Sequence, residues 1–191
     1  MNYKSLFNIT LLLISSPQRA WEEIRLEEDR RKVLTDFVYP MIGLCAFTSF
    51  IGLLWTMGWS GPESFQYAMT HCCAVAVSLF GGYFLAAYLI NELQIRMLHQ
   101  PGDMPLMQQF AGYALAVIFV LRAIIGVLPD FQIIGLLLQL YTLYVVWEGT
   151  KTLLQVGEKE RFAFSLSATL ILIACPIVIQ LVFDRLTLLL N

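Results

Sequence analysis

Charged residues are scarce in this chain and are confined to short segments. Only 14% of the 191 residues are Asp, Glu, Lys or Arg, whereas 58% are hydrophobic. A soluble domain normally carries about a quarter charged residues. The composition therefore argues against an ordinary soluble domain, and the net charge of −2 argues against a nucleic-acid partner.

The sequence also lacks the local patterns that mark enzymes and metal sites. It contains no Gly-rich phosphate loop, no His-Glu-x-x-His, no Gly-x-Ser-x-Gly and no Cys-x-x-Cys. No metal-ligand spacing joins either histidine to the four cysteines, Cys45, Cys72, Cys73 and Cys175. We predict no catalytic residue, cofactor or metal, and we interpret the cysteines as small apolar residues with free thiols.

Long apolar runs are what the chain has in abundance. They cover residues 37–59, 66–90, 111–128, 132–147 and 162–183. About 20 apolar residues, each rising 1.5 Å along a helix, cross a hydrocarbon core of about 30 Å. The pattern predicts an all-α fold, in which residues 37–191 form a polytopic membrane bundle of five transmembrane helices. Residues 1–36 form a cytoplasmic N-terminal arm.

The distribution of basic residues predicts the orientation of this bundle. Ten of the 12 Lys and Arg residues lie in the arm or in the segments after the second and fourth spans. Arg185 lies on the opposite side, and Arg122 lies within a span. Because cytoplasmic loops carry the excess of Lys and Arg, we expect a cytoplasmic N-terminus and an external C-terminus.

The arm is predicted to form two interfacial amphipathic helices. Residues 3–14 are apolar but too few to span a bilayer, and Ser16 with Pro17 gives an N-cap and first position for a second helix. Trp21 and Ile24 lie three residues apart on one face of that helix. This spacing predicts an interfacial anchor formed by the two side chains.

The charged end of the arm is predicted to be a solvated helix face. Glu27 with Arg31, and Glu28 with Lys32, have the i,i+4 spacing of helical ion pairs, with the acid first. A dedicated partner-binding patch is the alternative interpretation of this charge run.

Small residues recur along the second span. Ala74, Ser78, Gly82 and Ala86 are spaced by four, so they share one helix face. In lipid such a stripe lets helix backbones approach closely. We predict packing within the chain, with a homodimer face as the alternative. Pro176 in the fifth span is predicted to kink that helix or to loosen its backbone hydrogen bonds.

Arg122 and His71 are the candidate intramembrane polar site. Counting residues along their spans puts both near the outer side of the membrane. In one interpretation they belong to a polar pocket that opens outward. In the other, Arg122 is structural and pairs with an outer acid, for which the candidates are Glu63, Asp130 and Asp184.

A second polar group lies at the cytoplasmic ends of two spans. Glu92 and Arg96 follow the second span, and Glu148 and Lys151 follow the fourth. Opposite charges at one depth predict a clamp that holds these two spans together. No nucleophile or metal ligand accompanies the two carboxylates, so we assign no catalysis to them.

Three segments resemble a known family. SPQRAWEEI (16–24) resembles its P-x-x-A-W-x-x-I helix, and PGDMPLMQQFAGYA (101–114) resembles its loop that re-enters the membrane with a Gly-Tyr pair. YTLYVVWEG (141–149) resembles its Y-x-L-Y-x-x-x-x-G ending of the fourth span. With the five-span layout, these segments identify the chain as similar to the Ypt-interacting-protein (Yip) domain family, of the short prokaryotic type.

The resemblance implies a multi-pass protein of the bacterial cytoplasmic (inner) membrane. Long eukaryotic members of the family are linked to Rab-type GTPases through extended polar N-terminal regions. This chain has a short arm without the acidic Asp-Leu-Tyr-Gly-Pro type of segment, which argues against a GTPase partner.

Two classes of function remain open from the sequence. One is a non-enzymatic scaffold or adaptor that organises the bilayer, other membrane proteins or a second copy of itself. The other is a small-solute transporter or channel with its site around Arg122 and His71. Transporters often have broken helices near the midplane, and Pro176 is the one candidate break in the sequence, so the scaffold is favoured.

Overall fold

The computed structural model of the protein describes residues 3–27, 29–59 and 61–190. These residues are almost entirely helical and contain no strand, which confirms the all-α prediction. A π-turn (Leu34–Val38) precedes the third helix, and a 3-10 turn (Pro129–Phe131) precedes the seventh. The helices are α1 (Tyr3–Ser15), α2 (Pro17–Arg25), α3 (Tyr39–Met57), α4 (Pro62–Leu98), α5 (Met104–Ala114), α6 (Ala116–Val127), α7 (Gln132–Gln139), α8 (Tyr141–Thr152) and α9 (Glu158–Leu190).

Five helical segments are long and apolar enough to cross a membrane, which confirms the predicted number. They are Leu34–Met57, Pro62–Leu98, Met104–Val127, Pro129–Thr152 and Glu158–Thr187. We call the side that carries the arm the N-terminal side.

The third span begins seven residues before the predicted apolar run, at Met104 instead of residue 111. The Asp103 side chain accepts a hydrogen bond from the Leu106 backbone N–H at 3.1 Å and caps the helix. Pro105 lies in the first turn, where its missing N–H costs nothing. Local capping, which hydropathy does not detect, therefore sets this boundary.

Two spans are divided at positions that the sequence analysis does not identify. The third span is divided at Leu115, between α5 and α6, and the fourth at Leu140, between α7 and α8. Helix α9 contains Pro176 and is assigned as one continuous helix. The π-turn before α3 has a local cause, because Pro40 has no N–H to donate to the Asp36 carbonyl, as an α-helix would require.

Helix α4 is the centre of the bundle and packs most extensively against α9 and α3. The predicted stripe faces inward, since Ala74, Ser78, Gly82 and Ala86 are all buried. A Cβ atom on Gly82 would lie 2.7 Å from the backbone N and Cα of Pro176. The stripe therefore lets α4 approach the one residue of α9 that carries no N–H.

A second close approach joins α3 to α6 and has no counterpart in the sequence analysis. Gly52 and Gly126 meet backbone to backbone, and a Cβ on Gly126 would lie 2.8 Å from the Ser49 nitrogen. Nearby, the Cys45 thiol donates to the Phe119 carbonyl oxygen at 3.1 Å. The two helices are thus held by direct backbone contact and a thiol hydrogen bond.

We expect Gly82→Ala to destabilise the detergent-solubilised protein by about 1–3 kcal/mol, because the new methyl group overlaps the α9 backbone. Thermal unfolding measures the effect. Gly43→Ala is the matched control, since it adds the same methyl group within α3 at a position where nothing lies within 4 Å. Equal unfolding temperatures for the two variants would contradict the close contact.

Candidate functional site

Trp21 joins the N-terminal arm to the transmembrane helices. Its indole N–H donates to the carbonyl oxygen of Val145 in α8 at 2.9 Å, and its side chain is fully buried. The ring stacks on Phe110 with a centroid distance of 5.5 Å and meets Tyr113 edge-on at 6.4 Å. Trp21 therefore lies inside the protein, among side chains of α5 and α8.

This position differs from the interfacial anchor that the sequence predicts for Trp21 and Ile24. Ile24 is also buried, at 1% exposure, because the apolar face of α2 packs on protein and not on lipid. Gly149 makes room for the indole, since a Cβ there would lie 2.7 Å from the ring of Trp21. The spacing of Trp21 and Ile24 correctly indicates an apolar face of α2. The prediction of an interfacial anchor is wrong, because protein and not lipid covers this face.

Glu27 makes a second connection between the arm and the bundle. Its carboxylate accepts hydrogen bonds from the Tyr113 hydroxyl at 2.8 Å and from the Gln109 amide at 3.0 Å. Gln109 is itself buried and also donates to the Ile24 carbonyl oxygen at 3.2 Å. Two neutral donors of α5 thus hold this carboxylate in place.

The predicted helical ion pair of Glu27 with Arg31 is wrong. Helix α2 ends at Arg25, so the two residues are not on one continuous helix and their i,i+4 spacing has no meaning. Glu27 turns toward α5 instead. The companion pair of Glu28 with Lys32 lies outside the described residues, because Glu28 is not described.

Helices α1 and α2 form a hairpin that reaches along the bundle. The Tyr141 hydroxyl donates to the Ile14 carbonyl oxygen, next to the hairpin tip, at 2.8 Å. Tyr141 lies near the middle of the segment Pro129–Thr152. Helix α1 also contacts α6. The arm is therefore packed on the transmembrane helices along its length.

An ion pair fixes the connection that follows α2. Arg30 Nη1 lies 2.7 Å from Asp103 Oδ2, the residue that also caps α5. Both side chains are partly exposed, so the pair contributes modestly to stability and mainly sets the path of the chain.

A cavity of about 750 Å³ lies between the hairpin and the beginning of the first span. Leu6, Ile9 and Phe37 provide an apolar part of its wall. Its charged lining comes from four carboxylates and two lysines, namely Glu23, Glu27, Asp29, Asp36, Lys4 and Lys32. We call this space the arm cavity.

The predicted clamp between the second and fourth spans is not formed. Glu92 pairs with Arg96 at 3.5 Å within α4, and Glu148 pairs with Lys151 at 3.8 Å within α8. Each acid pairs with a basic residue three or four positions later on its own helix. These local pairs do not connect the two spans.

Arg122 faces a second, smaller cavity of about 140 Å³. Gln132 and Gln139 of α7 share its lining with apolar side chains of α6, α7 and α9. In the described part of the chain no carboxylate lies within 4 Å of Arg122, so none of the three predicted outer acids forms an ion pair with it. The cavity has room for a few water molecules, at about 30 Å³ each.

His71 lies in α4 and is partly buried. Its Nδ1 atom is buried and has no hydrogen-bond partner among residues 3–27, 29–59 and 61–190. His71 and Asp184 are not among the residues that line the Arg122 cavity.

The arm cavity and the Tyr113–Glu27 contact were missed by the sequence analysis. The signal that was available is the Gly112–Tyr113 pair and Gln109, polar or small residues at the beginning of an apolar run. A Cβ on Gly112 would lie 2.8 Å from Val33, so this glycine lets the chain that leaves the arm approach α5. The spacing alone does not reveal which residue of the arm the Tyr113 hydroxyl contacts.

Five apolar helices and an arm packed on them define an integral membrane protein of the polytopic α-helical class. Residues 11–179 match the Yip1 domain, so the chain belongs to the Yip1 domain family. The match includes α2, the Gly-Tyr pair and the end of the fourth span, the three segments on which the resemblance was based. No curated protein and no solved structure matches the chain significantly.

Trp21→Phe should destabilise the protein by about 1–3 kcal/mol, because it removes the hydrogen bond to Val145 and part of a buried ring. The measurement is thermal unfolding in detergent. Trp55→Phe is the matched control, since Trp55 is 77% exposed. A Trp21→Phe protein that is as stable as the control would contradict the packing of the arm on the transmembrane helices.

Proposed function

We propose that this protein is a non-enzymatic membrane scaffold whose arm presents a fixed partner-binding surface on the N-terminal side. The burial of Trp21 between α5 and α8 is the observation that carries the proposal. It makes the arm a rigid part of the membrane domain. The excess of Lys and Arg on the N-terminal side supports a cytoplasmic position for this surface in a bacterial inner membrane.

The outward face of α2 is the surface that we assign to partners. Gln18, Arg19, Glu22 and Arg25 are exposed on it, while the opposite face of the helix is buried in the bundle. A surface that is already ordered loses little conformational entropy on binding. Its mixed charges fit a polar segment of another membrane protein or of a second copy of this chain.

Charge reversal on this face tests the proposal. Proteins cross-linked to the chain in native membranes and identified by mass spectrometry should fall about tenfold in abundance for Arg19→Glu/Arg25→Glu, because both side chains are exposed and their loss leaves the fold intact. Lys159→Glu is the control, an exposed basic residue on the same side in α9. Identical partner sets for both variants and the wild type would reject the α2 surface.

The alternative function is a small-solute transporter or channel, and the cavity at Arg122 favours it. A guanidinium inside a membrane helix that has no carboxylate partner within 4 Å can attract an anion by its charge. The space of about 140 Å³ is smaller than the 300–1,000 Å³ typical of drug-sized ligands. Only a small inorganic anion would fit.

Thermal unfolding with added chloride or inorganic phosphate tests this alternative. If Arg122 binds the anion, the salt raises the unfolding temperature of the wild type and of Arg185→Leu, an exposed arginine near the C-terminus, but not of Arg122→Leu. The same shift in all three proteins, or a shift in none, rejects the anion site and with it this alternative.

A further inference from the structure

We propose that the cavity at Arg122 binds the carboxylate of a long-chain fatty acid that enters from the bilayer. This ligand is independent of the scaffold function, which concerns protein partners on the N-terminal side. It occupies the same cavity as the solute of the transporter alternative, but it stays in the membrane with its chain among the lipids. Three observations support it: the guanidinium has no partner, two glutamines share the cavity, and the cavity opens toward lipid.

Arg122 supplies the charge of the cavity and lies inside the third span, Met104–Val127. It is five positions before Val127, which places it about 8 Å along the helix axis from that end. A guanidinium has five N–H donors. Among the described residues, Arg122 makes no hydrogen bond and no ion pair. Since an arginine in a membrane helix almost always has such a partner, a bound anion would supply the one that the protein does not provide.

Two glutamines of α7 complete a site for a carboxylate. Gln132, Gly135 and Gln139 recur every three or four residues, so they share the face of α7 that lines the cavity. Neither side-chain amide makes a hydrogen bond to another residue that the structure describes. A carboxylate accepts two parallel hydrogen bonds from a guanidinium, and its remaining lone pairs accept from amide groups. One arginine with two amides therefore suits a planar anion of single charge.

The cavity opens sideways toward the bilayer. Leu136 of α7 and Ile177 of α9 both line it, yet Leu136 is 62% exposed and Ile177 is 43% exposed. Both lie within segments that cross the membrane, so lipid covers their exposed surfaces. Helix α7 packs on α6 and α8, whereas α9 packs on α4 and α8. A ligand dissolved in the bilayer therefore reaches Arg122 between α7 and α9.

The size of the cavity selects the kind of anion. Its volume of about 140 Å³ holds a carboxylate but not the head group of a phospholipid with its two chains. A fully enclosed ligand has to be a small ion, whereas a fatty acid needs room only for its charged end. Leu121, Ile125 and Leu136 give the first carbon atoms of the chain an apolar wall next to Arg122.

Ligand retention measured by native mass spectrometry tests the proposal. The full-length protein in a non-ionic detergent receives equal amounts of palmitic acid and hexadecanol, which have chains of the same length and differ in the charged end. Palmitate should be retained about tenfold more than hexadecanol, because only the carboxylate pairs with the guanidinium of Arg122. Equal retention of the two compounds would overturn the proposal.

Two variants test the assigned residues. Arg122→Gln removes the charge and Gln139→Leu removes an amide, and both should fold because each makes its membrane helix less costly to insert. Each should lower palmitate retention about tenfold and leave hexadecanol retention unchanged. Arg185→Leu is the matched control, an exposed arginine of α9 that does not line the cavity. Equal palmitate retention in all four proteins, or a parallel fall of both compounds in the two variants, would overturn the site.

Acetate distinguishes a fatty acid from a soluble anion with the same carboxylate. Added in excess over palmitate, it should displace little of it, because acetate lacks the chain that stays in the micelle or the bilayer. Complete displacement by acetate would mean that the ligand is a soluble carboxylate. That result would overturn the assignment to a fatty acid but not the transporter alternative, which requires no lipid.

Discussion

The hydrogen bond from the Trp21 indole to the Val145 carbonyl oxygen decides how the arm is attached to the membrane domain. A carbonyl oxygen has two lone pairs, so Val145 can accept this bond and keep its place in the helix. The ring reaches it only because Gly149, one turn along α8, has no side chain. The position of Glu27, the path of α1 and the shape of the arm cavity all follow from this attachment.

Hydropathy predicted the five spans because a bilayer leaves the chain few alternatives. Backbone groups in hydrocarbon must be satisfied within the segment, so a long apolar run becomes a helix. Hydropathy does not show whether protein or lipid covers an apolar face. Trp21 and Ile24 have the spacing of a lipid anchor and of a buried helix alike. Only the tertiary structure, in which α5 and α8 leave a space for the Trp21 indole, distinguishes a lipid anchor from a buried helix.

Polar contacts were predictable only where they are local. Glu92 and Glu148 form ion pairs with basic residues on their own helices. The predicted clamp between the helices is wrong because side chains three or four positions apart on one helix are already neighbours and pair with each other. Contacts between distant residues, such as Gly52 with Gly126 or Tyr113 with Glu27, have no signature in the spacing. The two cavities also differ in the sign of their charge. Carboxylates are the most numerous charged groups of the arm cavity, whereas the second cavity is lined by the cation Arg122.

The separation of 124 residues between Trp21 and Val145 has a consequence for biosynthesis. The arm leaves the ribosome before the fourth span, yet the space that receives the Trp21 indole exists only after the fourth span has been inserted. Until then the indole and the apolar face of α2 cannot pack on α8 and lie at the membrane surface. Docking of the arm is therefore a late step of assembly, and a protease that cleaves the undocked arm would distinguish immature chains from finished ones.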